Sequence, residues 1–273
     1  MKLKALVHLL GLRPKPKTYP FEVRRFDLPK DGRVEYAQWL HPRETAKTIT
    51  QESVDELRRF VRPGDVAIDI GAHSGDSTVP IALALGPTGL VLALEPNPFV
   101  FPVLEKNAQL NADKTRIVPL MFAATPEDGP CDFEYSDAGF CNGGRHDGVS
   151  KWRHGHAFPL TVQGRNLPSF LSSQYPQLLP KLAYIKVDAE GYDLTILKTL
   201  AGEIAARRPY IKAEMFAHAD RQQRERLFQF FIDHRYVVHK VESEGSYQGP
   251  RLGAADLMIW RHFDVFGIPE ERL

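Results

Sequence analysis

This chain of 273 residues predicts an α/β fold with a mostly parallel sheet. Three observations carry the prediction. From about residue 66 to residue 216, short apolar runs bounded by glycine and proline alternate with segments of helical length. The first run, residues 66–70, leads into a glycine turn, Gly71-Ala72-His73-Ser74-Gly75. Four of the runs carry carboxylates at or near their ends. Strands alternating with helices pair in parallel through right-handed crossovers.

The elements follow in order. Residues 1–50 read as an N-terminal extension with little pattern. Its first 11 residues join a basic flank to a short apolar run, and Arg13, Lys15 and Lys17 follow where a secretory leader would place a cleavage site. That stretch predicts an amphipathic helix docked on the domain, with weak contact to a membrane surface as the sharper alternative. Pro14, Pro16 and Pro20 break any helix beyond it. Residues 21–26 alternate as a strand does. The main domain is expected over residues 51–273. It opens with a helix over 50–60 that aligns Val54, Leu57 and Phe60 on one face.

A strand over 66–70 is apolar except for Asp69, and Val79 to Leu85 mark the helix after it. A second strand over 90–94 ends in Glu95. Pro96-Asn97-Pro98 caps a helix over about 99–111, and 116–121 forms a third strand. Residues 122–165 then break the alternation. This glycine-rich stretch carries His146, His154 and His156 and reads as a long loop or hairpin insertion. Such insertions beside a binding crevice supply substrate contacts, and the plainer alternative is a surface loop with incidental histidines. The histidines lack a tight ligand spacing with a carboxylate, so no metal is predicted there. Order returns with a short helix over 167–171 and a strand over 182–187 ending in Asp188-Ala189-Glu190-Gly191. A helix through Leu194, Ile196, Leu197 and Leu200 follows, then a strand over 209–213 that ends in Glu214. A helix over 220–234 and a closing strand pair, 235–241 with 254–260, complete the reading.

Composition narrows the function. A formal net charge of +1 gives no long-range attraction to nucleic acid or to an anionic membrane. No run of about 18 apolar residues is present, so no membrane-spanning helix is expected. The two cysteines, Cys131 and Cys141, read as reduced thiols of a cytoplasmic protein.

In an open parallel sheet, ligands lie beyond the carboxyl ends of the strands. Asp69, Glu95, Asp188 with Glu190, and Glu214 are all expected there. Glu95 stands 20 residues after Gly75, where an acid accepts hydrogen bonds from ribose hydroxyls. The turn has one glycine fewer than the dinucleotide fingerprint and an acid just before it. That carboxylate repels a pyrophosphate and suits a ligand amino group. S-adenosylmethionine has an amino group, a ribose and no phosphate, so it is favoured over NAD. Methyl transfer from a sulfonium chiefly needs alignment, and an alcohol acceptor also needs a base or a metal. Asp188, Glu190 and Glu214 are the candidate catalytic carboxylates. Asp188 and Glu190 would act either as a base with a raised pKa or as oxygen ligands of a divalent cation. Such a metal is possible but not predicted, and a histidine of the insertion is the other candidate base.

The run Ile185-Lys186-Val187-Asp188-Ala189-Glu190-Gly191-Tyr192-Asp193-Leu194, with Ile68-Asp69-Ile70-Gly71-Ala72-His73-Ser74-Gly75 and Glu95-Pro96-Asn97, resembles the FkbM-type family of S-adenosylmethionine-dependent methyltransferases. The resemblance covers about residues 52–216. It implies a seven-stranded, Rossmann-like class I methyltransferase fold with helices on both faces. It also implies O-methylation of a hydroxyl on a sugar, glycan or polyketide-type natural product. By motif position it implies cofactor contacts at Asp69, Gly71, Gly75 and Glu95. Ala72, His73, Pro96 and Asn97 belong to the same two cofactor motifs, and Asp188 and Glu190 fall in the crevice. The sequence departs from the family at His73, where asparagine is frequent, and in its insertion, so the acceptor is not inherited. The competing reading is a non-catalytic binding or scaffold domain that keeps the fold.

Overall fold

A computed structural model describes residues 16–135, 138–141, 143–144 and 158–273. The expected first helix over 1–11 and the candidates His146, His154 and His156 lie outside the described residues. Strands β1 (Phe21–Leu28) and β2 (Gly32–Trp39) form an antiparallel hairpin that the sequence reading found only in part. Its turn closes on Asp31-Gly32, with Gly32 at φ +67°, a conformation that favours glycine. The hairpin is no loose appendage. Tyr36 and Trp39 are buried, and the Asn107 side chain accepts from Ala37 N at 2.6 Å while donating to Ala37 O and Ser74 O. That amide ties the hairpin to the glycine turn.

Helix α1 (Gln51–Arg58) follows, capped by Thr50, whose hydroxyl accepts from Ser53 N. Two βα steps and a third strand come next: β3 (Val66–Ile70), α2 (Thr78–Leu85), β4 (Leu90–Leu94), α3 (Phe101–Gln109) and β5 (Ile117–Leu120). Every residue of α2 is buried, because the helix packs against both the sheet and α1. Each Leu or Ile so buried contributes about 1.5–3 kcal/mol, which favours an all-apolar helix over an amphipathic one here.

The insertion is a small sheet. β6 (Ala123–Thr125), β7 (Gly129–Tyr135), β8 (Gly143–Gly144) and β9 (Phe158–Asn166) pair in the order β6-β9-β7-β8. It is anchored to the main domain by Phe140, which stacks on Phe99 at 4.5 Å and whose carbonyl accepts from Asn97 Nδ2.

Helix α4 (Leu167–Gln174) returns the chain to β10 (Leu182–Val187), α5 (Asp193–Thr199), α6 (Ala201–Arg207) and β11 (Tyr210–Met215). Glu214 therefore lies inside β11, not beyond its end as expected. Helix α7 (Arg221–Asp233) carries a capping box, Asp220 with Gln223. It leads to β12 (Tyr236–Lys240) and β13 (Phe263–Pro269). The strand expected over 254–260 is absent. Arg224 is buried and its guanidinium donates to the carbonyls of Leu257, Trp260 and Arg261, which fixes that segment as coil and short 3-10 turn. The closing strand is the next apolar run.

The main sheet has seven strands in the order β12-β13-β11-β10-β3-β4-β5. β13 runs antiparallel to both neighbours, and the other pairs are parallel, so the sheet is mixed. A separate apolar core fills each face. Ile68, Leu92, Ile185 and Ile211 pack towards α5, α6 and α7, and Ala67, Val91 and Tyr184 pack towards α1, α2 and the hairpin.

Candidate active site

From β3 the chain winds outwards through β4 and β5, and from β10 it winds the other way through β11. The switch point of this doubly wound sheet therefore lies between β3 and β10, and a crevice opens there. Gly71 follows β3 and Asp188 follows β10, with Asp188 N donating to Ile70 O at 3.0 Å. A Cβ on Gly71 would stand 1.9 Å from the Asp188 carbonyl oxygen, so only glycine fits at this junction. The crevice holds a cavity of about 550 Å³ bordered by both turns, the loop after β2, and the insertion. That volume is in the usual range for a ligand site.

One wall is built from the glycine turn and the end of β4. Glu95 is buried, and its carboxylate accepts from His73 N at 2.9 Å and Asn97 N at 2.8 Å. Burial raises its pKa, and His73 with the two N–H donors opposes the rise. Gly71, His73, Glu95, Pro96 and Asn97 all border the cavity. Three other candidates do not. Asp69 is turned into the protein: its Oδ2 accepts from the Ser77 and Thr78 hydroxyls, and Lys186 Nζ sits 3.3 Å from its Oδ1. The carboxylate near the end of β3 thus secures the start of α2. Ala72 is wholly buried in the apolar core. Gly75 packs against α3, where a Cβ would approach Leu104 Cδ1 at 3.1 Å. Asp76 borders the cavity instead, paired with Lys47 at 2.9 Å.

The facing wall is acidic. Asp188 and Glu190 border the cavity, and Glu190 holds φ +53°, a left-handed conformation that costs a non-glycine residue about 1–2 kcal/mol. Burial, with the Asp188 charge added, pushes the Glu190 carboxyl up to about 7, while His262 opposes the rise. Glu214 stands just off the cavity wall, with Oε1 2.8 Å from His262 Nε2. Burial and the charges of Asp188, Glu190 and Asp264 push it up to about 10. Asp193 lies behind the turn and accepts from Glu214 N and Gly191 N. Burial and Glu214 raise it as well.

Two lysines answer these acids, and sequence reasoning passed over both. Lys186 and Lys212 occupy the same register row of β10 and β11 and are buried. Burial disfavours the Lys186 charge, yet Asp69, Asp188 and Asp76 hold its pKa well above the usual value. Lys212 is held up in the same way by Glu244 at 2.6 Å and Asp264 at 3.2 Å. A lysine interrupting each of two apolar runs was the available signal. Phe133 and Tyr135 of β7 also border the cavity and came from a stretch read only as loop or hairpin.

A seven-stranded mixed sheet with this order and a nucleoside-sized hollow at its switch point is a Rossmann-like class I methyltransferase fold. A family model for the methyltransferase FkbM domain matches residues 69–240, and the chain belongs to that family. Among solved structures, it is similar to the methyltransferase FkbM from Methylobacillus flagellatus KT, at 14% identity and a TM-score of 0.45. That match covers 78% of this chain and 50% of the other, so the chain spans half the length of that relative. It is also similar to a SAM-dependent O-methyltransferase from Thermotoga maritima, at 12% identity, TM-score 0.42, and coverage of 92% and 78%. A third similar structure is fibrillarin from Aeropyrum pernix with bound S-adenosyl-L-methionine, at 11% identity, TM-score 0.41, and coverage of 93% and 97%. No curated protein matches the chain. Among the described residues, no helix is long and apolar enough to cross a membrane.

Proposed function

We propose that the chain is an S-adenosylmethionine-dependent O-methyltransferase acting on a hydroxyl of a small molecule or glycan. One observation carries the reading: a ribose-ready carboxylate, Glu95, and a base-ready carboxylate, Glu190, border a single hollow. The residues suit the cofactor. Gly71 borders the hollow, and Glu95 keeps lone pairs for two hydroxyls after accepting two N–H groups. Once bound, the cofactor supplies an activated methyl carbon. The chain's own part is to hold the acceptor in line and to take its proton. Glu190, at about 7, is matched to that task near neutral pH. Lys186 keeps a positive charge beside Asp188 and limits the repulsion that a fully ionised wall would carry. The aromatic pair Phe133 and Tyr135 offers an apolar flank for the acceptor. The protein would work on a hydroxylated small molecule or glycan, not on nucleic acid, and in the cytoplasm.

Calorimetry tests the reading directly. S-adenosylhomocysteine is expected to bind and NAD is not. Tight NAD binding with no response to S-adenosylhomocysteine would remove it. Binding without turnover on any hydroxylated acceptor would favour the scaffold reading.

A further inference from the structure

We propose that Glu44, His73 and Cys141 form a binding site for a transition-metal dication of the zinc class. One donor atom from each lies within 4.8 Å of the other two. They come from three separate segments: the loop after β2, the glycine turn, and the insertion. The Glu44 side chain is 5% exposed and Cys141 4%, and His73 Nδ1 stands 3.6 Å from Glu44 Oε2.

The donor chemistry selects the ion. A carboxylate oxygen, an imidazole nitrogen and a thiolate sulfur suit zinc, whereas magnesium and calcium require oxygen ligands. In a tetrahedral zinc site, neighbouring donors stand about 3.3–3.6 Å apart. Glu44 and His73 are already near that spacing, and closure asks that the three donors, all within 4.8 Å of one another, draw inwards. Outer contacts hold the ligands in place: Glu44 Oε1 accepts from Thr45 N and pairs with Lys47 at 3.2 Å, while Trp39 lies edge-on to the His73 ring at 5.6 Å. Three protein ligands leave a fourth position facing the cavity that all three residues border. The ion would clip the insertion to the glycine turn. This site is distinct from the Asp188 and Glu190 wall, and it stands without the cofactor assignment.

The test titrates metal-free full-length protein with Co²⁺, then displaces it with Zn²⁺. A thiolate-to-cobalt charge-transfer band and visible bands of tetrahedral strength are expected, both lost to stoichiometric Zn²⁺. Cys141→Ser removes the charge-transfer band, and Glu44→Gln weakens Zn²⁺ binding about tenfold or more. Zn²⁺ slows alkylation of Cys141 and leaves that of Cys131 unchanged. Far-ultraviolet dichroism checks the fold of each variant; should Cys141→Ser unfold, Glu44→Gln and the alkylation pattern decide. The proposal is overturned if wild type shows no charge-transfer band, if folded Cys141→Ser keeps it, or if Glu44→Gln binds Zn²⁺ unchanged. Calorimetry with S-adenosylhomocysteine on the same samples reads the cofactor site separately, so either assignment can fail alone.

Discussion

The two walls of the crevice solve the same problem in opposite ways. On the β3–β4 side each buried acid meets a donor or a cation: Glu95 takes two backbone N–H groups, Asp69 takes two hydroxyls and Lys186, and Asp76 takes Lys47. On the β10–β11 side Asp188 has Lys186 at 3.5 Å and Glu214 has His262 at 2.8 Å, yet burial and the charges of neighbouring acids still raise the pKa values of Glu190 and Glu214. A satisfied acid is suited to holding a ligand. A crowded acid holds a proton near neutral pH and is suited to exchanging it. On the proposed function, the difference separates a wall suited to binding from a wall suited to proton transfer.

The largest expected effect falls on the reacting wall. Glu190→Gln should lower kcat by about 10²–10⁴-fold while S-adenosylhomocysteine affinity stays within a factor of about two. In wild type the rate should fall as pH drops below about 7, because the base becomes protonated. Steady-state rates across pH read both, and an unchanged kcat would place the base elsewhere. Next comes the hinge between the walls. Gly71→Ala combines a left-handed backbone at φ +78° with a clash on the Asp188 carbonyl. It should cost roughly 2–5 kcal/mol in urea unfolding. Gly202→Ala, with open space around it, serves as the control and should shift stability by under about 1 kcal/mol.

On the binding wall, Glu95→Gln should weaken S-adenosylhomocysteine about tenfold, near 1.4 kcal/mol, and leave kcat at saturating cofactor nearly unchanged. A fall in kcat instead would blur the division of labour. The last effect is on stability. A carboxyl whose folded pKa is raised contributes stability below its unfolded value, and that contribution is lost as pH rises towards the folded value. Glu214 should therefore destabilise the protein progressively from about pH 4.5 to about pH 10. Glu214→Gln removes the titration. It should raise Tm at pH 8 by about 2–4 °C for each kcal/mol recovered, and the gain should vanish near pH 4.5.

Several parts of this molecule were legible in the sequence for a plain reason. Strands buried on both faces, such as 66–70, 90–94 and 182–187, read as apolar runs interrupted only by Asp69 and Lys186, and the residues just beyond them fall at the crevice. The hairpin was harder to read, since its alternation is interrupted by Ala37 and Gln38, although Asp31-Gly32 marked its turn. The closing strand was misplaced because a run of apolar residues does not reveal that the buried Arg224 will claim its carbonyls.

By itself the sequence determined the order of strands and helices over 66–120 and 182–240, the glycine turn, and the positions where acids meet the sheet's edge. Periodicity and turn chemistry are local, and local rules suffice for those. Only the tertiary structure decided which acids face the hollow: Asp69 turns to Ser77 and Thr78, Glu214 sits within β11 beside His262, and Glu44, His73 and Cys141 converge from distant segments. Burial and through-space charge set those outcomes, and both depend on neighbours that are remote along the chain.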